Sequence, residues 1–279
     1  MKMVQRRFII GSEWIYLKIY SGPKILEQIF INDIIPAVNS LIRSEFIDSY
    51  YFVRYMDPDY HIRLRLHCID TKNYGYILEL FNKKLRKYLN NLTITKVQID
   101  TYARELERYR GDQIVYFEKI FFSDSCMITK CLKRLGCSDN NRHIISLRYI
   151  DALMEMCGFN VDQKINFVDH NRMAYFQEIY QSDKTIKVIL NSKYRTIKNE
   201  ITNGFTISND LGWLNIEISK CVKKINTISL ALHQITPNEL TSIIHMHINR
   251  MFRTKQRTVE LVLYWYLYKY YVSQKAIFK

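Results

Sequence analysis

Two arginines and two histidines alternate with aliphatic residues in the stretch H-I-R-L-R-L-H. On a strand, His61, Arg63, Arg65 and His67 share one face, and Ile62, Leu64 and Leu66 share the other. Same-face neighbours lie roughly 6–7 Å apart, so the four side chains form a short cationic row. Arginine offers a planar pair of donors, which suits a carboxylate. A solvated strand face, or basic residues guarding a sheet edge, would give the same pattern. A second group gathers Arg104, Glu105, Glu107, Arg108 and Arg110. It too has an ordinary reading, a helix start laced with charge pairs. The third is I-H-M-H-I-N-R, ending at Arg250. On a helix His245 and Asn249 share a face, with Arg250 one residue further round. His247 cannot share that face, because a helix turns about 100° per residue. A lone histidine on a half-apolar helix is usually a packing residue.

No phosphate-binding glycine loop, dinucleotide fingerprint, H-E-x-x-H or G-x-S-x-G is present. Any chemistry is therefore acid–base work supported by arginine electrostatics, with no cofactor and no metal. The six cysteines include no C-x-x-C and no zinc spacing. They read as reduced thiols of a cytoplasmic protein.

The chain carries 41 Lys and Arg against 27 Asp and Glu, a net +14. That favours an anionic partner such as an acidic peptide, a carboxylate or nucleic acid. The charge is spread along the chain without a basic tail. A basic solvated surface therefore fits better than direct binding to tRNA. The first residues lack the apolar run of a signal peptide. No uninterrupted apolar stretch approaches the ~18 residues of a membrane span. Leu261 to Tyr268 stops at Lys269 and reads as a buried helix.

The elements that must position these residues follow from periodicity. Trp14 to Tyr20 reads as a strand and Lys24 to Arg43 as a helix that Pro36 should bend or whose last turn it should split off. Ser49 to Tyr55 and His61 to His67 are strands joined by a turn at Asp57-Pro58-Asp59. Tyr74 to Leu89 is a helix and Thr93 to Thr101 a fourth strand. The order β-α-β-β-α-β predicts an α+β fold, with a ferredoxin-like antiparallel sheet over residues 1–102. Residues 103–279 read as mainly helical and packed on that sheet as one domain, 1–279. Helices are predicted over Gln113 to Phe122, Ser125 to Leu135, His143 to Cys157 and Asn171 to Tyr180. Further ones are predicted over Ile216 to His233, Asn238 to Met251 and Thr258 to Ser273. The polar stretch Gln181 to Asn215 reads as helix and loop.

Five segments in this order carry a family resemblance. They are W-I-Y-L-K-I-Y, Y-F-V-R-Y-x-D-P-x-x-H-I-R-L-R, Y-x-R-E-x-E-R-Y, E-x-x-F-x-x-D-S at Glu118 to Ser125, and I-H-M-H-x-N-R. Together they resemble the thiopeptide-type bacteriocin biosynthesis domain, the C-terminal, glutamate-eliminating domain of class I lantibiotic dehydratases. The family usually continues R-Y-G-G where this chain has Arg108-Tyr109-Arg110-Gly111, so the shape of that loop is open.

The resemblance implies a stand-alone lyase. It would remove glutamate from O-glutamylated Ser or Thr of a precursor peptide, leaving dehydroalanine or dehydrobutyrine. A separate glutamyl-tRNA-dependent protein would add the glutamate, since the chain is too short for both activities. By the same resemblance Arg63 and Arg65 would clamp the glutamate and the enolate, with Arg108 or Arg104 closing the other side. His245 would be the catalytic histidine and His247 the second choice. His61, Arg104, His247, Asn249 and Arg250 would assist binding. The alternatives are a pyridine synthase that joins two dehydroalanines, and a non-catalytic partner that binds a leader peptide. The lyase reading requires the three groups to converge in one cleft. Assembly as a homodimer is left open.

Overall fold

The computed structural model describes residues 4–136, 138–139, 141–181, 183–205 and 212–277. Cys137 and part of the polar stretch Gln181 to Asn215 lie outside the described residues. The chain divides into two compact units, Met1–Ser138 and Asp139–Lys279. Sequence reading placed a change of character near residue 102; residues 103–138 instead belong to the first unit.

In the first unit a four-stranded antiparallel sheet is built from β2 (Trp14–Tyr20), β3 (Ile47–Met56), β4 (Tyr60–Cys68) and β5 (Lys96–Ile99). Its order is β3-β4-β2-β5. The pair β1 (Arg7–Phe8) and β6 (Tyr102–Ala103) forms a second small sheet, too short to leave a periodic signal. Between β2 and β3 run α1 (Pro23–Ile29), a π turn (Phe30–Ile34) and α2 (Ile35–Arg43). Pro36 opens α2 rather than bending a continuous helix. A proline has no N–H to donate one turn back, and the widened turn absorbs that loss. Mean hydropathy near 1.3 would let Pro23–Arg43 cross a membrane by length and composition alone. Here Leu26, Phe30, Ile34, Val38 and Leu41 are buried core. Phe30 packs on Phe52 of β3, with ring centroids 4.6 Å apart.

Residues facing one another across the strands share a face of the sheet. Leu64 pairs with Leu17 and Phe52, and Leu66 with Ile15 and Tyr50. Ile62, Leu64 and Leu66 are fully buried. The opposite face carries Arg65 between Tyr16 and Tyr51, and Arg63 between Lys18 and Val53. The helix α3 (Tyr74–Asn90) follows β4.

The last helix of this unit, α4 (Ile114–Arg134), is one run of 21 residues. Sequence periodicity gives two helices here, one ending at Phe122 and one starting at Ser125, with the break at Ser123, Asp124 and the start of Ser125. Those three residues are buried, and with no Gly or Pro among them nothing stops the backbone.

Among the described residues, the regular elements of the second unit are all helices. The helices are α5 (Arg142–Met156), α6 (Val161–Tyr180), α7 (Lys184–Phe205), α8 (Gly212–Ala231), α9 (Pro237–Met251) and α10 (Gln256–Ile277). The aromatic helix α10 packs along α6 and also meets α5, α7 and α9. Capping boxes start α6 at Asn160 and Gln163, and α9 at Thr236 and Glu239. The first sets the start of α6 ten residues before the expected one.

Candidate functional site

Strand register gathers aromatic rings around the arginines of β4. The Arg65 guanidinium carbon lies 4.6 Å from the Tyr16 ring centroid, 5.1 Å from Tyr51 and 4.9 Å from Tyr102. Burial works against the charge of Arg65, while the three tyrosines and Glu105 favour it and outweigh burial. Its Nε is enclosed and has no hydrogen-bond acceptor. Such a donor is costly to leave unsatisfied.

The tyrosines are themselves fixed. The Tyr51 hydroxyl donates to Tyr102 at 2.7 Å, and the Tyr102 hydroxyl donates to Glu118 at 2.6 Å. Arg104 grips the same carboxylate with two bonds of 2.7 Å, through Nε and Nη2. Its Nη1 donates to the Gln5 carbonyl at 3.0 Å. Arg104 is therefore the anchor of a buried ion pair, and its fork is filled. The Glu118 of the E-x-x-F-x-x-D-S segment serves that anchor.

Arg63 stacks on Tyr55, with 3.5 Å from its guanidinium carbon to the ring centroid. Its Nε donates to His61 Nε2 at 3.0 Å. Arginine can only donate, so His61 Nε2 is the acceptor and its Nδ1–H points to the Asp59 carbonyl at 2.8 Å. Burial, then Arg63 and Lys18, hold the His61 pKa below the ordinary imidazole value against Asp59 and Asp57. His61 is thus buried and neutral, a support for Arg63 and not a cation of the row. His67 Nδ1 lies 2.9 Å from Asp48. Lys18, opposite Arg63, pairs with Asp100.

Arg108 is 42% exposed and lies 3.5 Å from Glu105. It precedes a turn in which Arg110 takes φ 50° and Gly111 φ 65°. Where the resemblance expects a glycine, Arg110 takes left-handed backbone, at a cost in strain.

In the second unit, α9 sorts its motif by helical phase. His247 is fully buried. It stacks on Tyr149 at 4.1 Å, with Nε2 3.2 Å from the Ser146 hydroxyl. Arg250 is buried as well. His245 and Asn249 lie on the half-buried side. His245 Nδ1 lies 2.8 Å from a carboxylate oxygen of Glu260 on α10. Glu260 is fully buried, whereas the His245 side chain is 23% exposed.

Sequence reading missed the tyrosines around Arg65, Tyr55 under Arg63, and Glu260. Tyr16 and Tyr51 face Arg65 through the register of β2 and β3, and Tyr102 comes from the separate β1–β6 sheet, so no single segment shows the group. Glu260 left a signal, a lone carboxylate in the apolar run Val259 to Leu263.

The family model for the lantibiotic biosynthesis dehydratase C-terminal region matches residues 14–271. The chain belongs to this dehydratase C-terminal family. The match spans all five sequence segments and residues of both units. Among curated relatives, the dehydratase family member is 28% identical over 274 residues to the nisin biosynthesis protein NisB of Lactococcus lactis subsp. lactis. That alignment takes in 95% of this chain and 26% of NisB. The chain spans about a quarter of the length of the curated relatives it matches. Among solved structures, the tRNA-dependent lantibiotic dehydratase MibB from Microbispora sp. 107891 has the same fold, with a TM-score of 0.69 at 17% identity. It is covered over 97% of this chain and 29% of MibB. The pyridine synthase TbtD from thiomuracin biosynthesis matches with a TM-score of 0.66 at 11% identity, over 96% of this chain and 100% of TbtD.

Proposed function

We propose that this dehydratase-family chain is a lyase that eliminates glutamate from O-glutamylated Ser or Thr of a precursor peptide. The observation that carries the reading is Arg65. It presents an enclosed donor without an acceptor on an aromatic, positively charged sheet face. That is a holder for a carboxylate or for the oxygen of an enolate.

In this reading a base removes the α-proton of the modified residue. The Cβ–O bond breaks, and its electron pair leaves with the glutamate carboxylate. Dehydroalanine or dehydrobutyrine remains. Arg65 and Arg63 neutralise the negative charge that develops on the enolate and on the leaving carboxylate. Arg108 is assigned to the same anion, and Arg104 to holding the tyrosine cage. His245 is assigned the proton transfer. Asn249 is assigned to the peptide beside it, and His247 and Arg250 to the core of their own unit.

The four-stranded sheet is read as ferredoxin-like, which its strand order supports. Residues 1–279 are read as one elimination domain, because one family model runs through both units. A separate protein would supply the glutamate from glutamyl-tRNA, and the setting would be the cytoplasm.

A second reading, pyridine synthesis from two dehydroalanines, is favoured by the full coverage of TbtD. Co-expression separates the two. A precursor and its glutamylating protein should accumulate glutamylated peptide alone, and dehydrated peptide once this chain is added. Accumulated glutamylated peptide in both cases, with a ring formed from pre-made dehydroalanines, would favour the synthase.

A further inference from the structure

Glu260 is enclosed in α10 within an apolar run. Among the described residues no lysine or arginine forms an ion pair with it. Its Oε2 lies 2.8 Å from His245 Nδ1. Its Oε1 is buried without a hydrogen-bond partner. Tyr175 and Tyr264 lie beside it; burial, then the Glu260 charge, push both phenols up, and a hydrogen bond to Glu260 adds to the rise at Tyr175. Arg257 reaches this cluster through the Tyr175 hydroxyl, to which its Nη1 donates at 3.0 Å. A buried carboxylate with one unmet oxygen costs stability. A purely structural role would be served better by an apolar side chain.

We propose that Glu260 is a positioning residue for His245. It accepts the Nδ1–H bond, fixes the neutral tautomer, and leaves the Nε2 lone pair as the basic nitrogen. The inference rests on the reading of His245 as the proton-transfer group. The state of the carboxyl decides whether the pair can act. A carboxylate only accepts, so it requires Nδ1–H and an unprotonated Nε2. A protonated Glu260 would donate to Nδ1 and leave the proton on Nε2, where no base remains. When Nε2 takes the α-proton, the adjacent carboxylate stabilises the imidazolium.

The test uses the full chain with 15N-labelled histidine, and His245→Asn to assign the signal. At a pH where the ring is neutral, Nδ1 should give a protonated-nitrogen shift and Nε2 a lone-pair shift. The reverse pattern in the wild-type protein would overturn the proposal without any further variant. Glu260→Gln, whose amide can donate as well as accept, should lose the single-tautomer signature. It should lower kcat for glutamate release at least about tenfold, with KM nearly unchanged. Full kcat per folded molecule in Glu260→Gln would also overturn it, whether or not the melting temperature falls. Wild-type protein that releases no glutamate would sink the lyase reading instead, and the tautomer in Glu260→Gln would still decide for or against Glu260.

Discussion

Arg104 and Glu118 meet through two 2.7 Å hydrogen bonds, and the Tyr102 hydroxyl reaches the same carboxylate at 2.6 Å. Both partners are buried. Arg104→Ala would strand a buried carboxylate and loosen one wall of the Arg65 cage. It should cost about 3–5 kcal/mol of stability, read from urea unfolding. An unchanged unfolding midpoint would return Arg104 to the solvated surface.

Arg63 and Arg65 should behave differently. Their side chains leave the sheet on the face opposite Ile62, Leu64 and Leu66. Arg65→Ala and Arg63→Ala should stay folded and accumulate glutamylated peptide. Losing a charge-assisted bond of about 1.5–3 kcal/mol corresponds to a rate loss of roughly 10- to 100-fold. Arg65→Lys should rescue poorly, because an ammonium neither stacks between three rings nor offers a planar fork. Normal elimination by all three variants would remove this strand from the site.

The two histidines of α9 should differ in turnover. His247→Ala empties a buried site stacked on Tyr149 and should lower stability by about 1–3 kcal/mol. His245→Ala should abolish turnover per folded molecule, with a stability loss that comes from stranding the buried Glu260 carboxylate. Turnover lost in His247→Ala and kept in His245→Ala would reverse their assignments.

His61 contributes a pH dependence whose sign follows from its lowered pKa. The unfolded chain binds the proton more readily, near pH 6.5, than the buried native ring does. The contribution is therefore fully present above the unfolded pKa and is lost as pH falls through that value toward the folded one. Burial depresses His143 in the same direction. Urea midpoints should drop between about pH 7 and pH 5, and His61→Gln should flatten part of that slope. A slope unaffected by the substitution would contradict a buried neutral His61.

The left-handed Arg110 can be relieved. Arg110→Gly should raise stability by about 1 kcal/mol, measured by thermal or urea unfolding. A loss of stability would mean that the Arg110 side chain outweighs its backbone strain.

How much was legible in the sequence depended on how local the signal was. The alternation of His61 to His67 needs two-residue periodicity alone, so the face shared by Arg63 and Arg65 and the buried Ile62, Leu64 and Leu66 could be read directly, whereas the neutral, buried His61 could not. The tyrosine cage could not, because Tyr16, Tyr51 and Tyr102 come from three separate strands. Arg104 and Arg108 look alike in sequence. They differ because Arg104 faces Glu118, fourteen residues away on α4, while Arg108 sits on an exposed turn. The phase of α9 separates His245 from His247, but choosing the inner one requires knowing that Tyr149 and Ser146 cover that side. The start of α6 was marked by Asn160 and Gln163, a local signal that apolar periodicity passes over.

Glutamate elimination is tested most directly by incubating the purified chain with a peptide already glutamylated on serine, followed by mass spectrometry. One dehydroalanine should form for each free glutamate released, with neither tRNA nor a second protein present. Intact glutamylated peptide after prolonged incubation with folded protein, or hydrolysis back to serine, would contradict the lyase assignment.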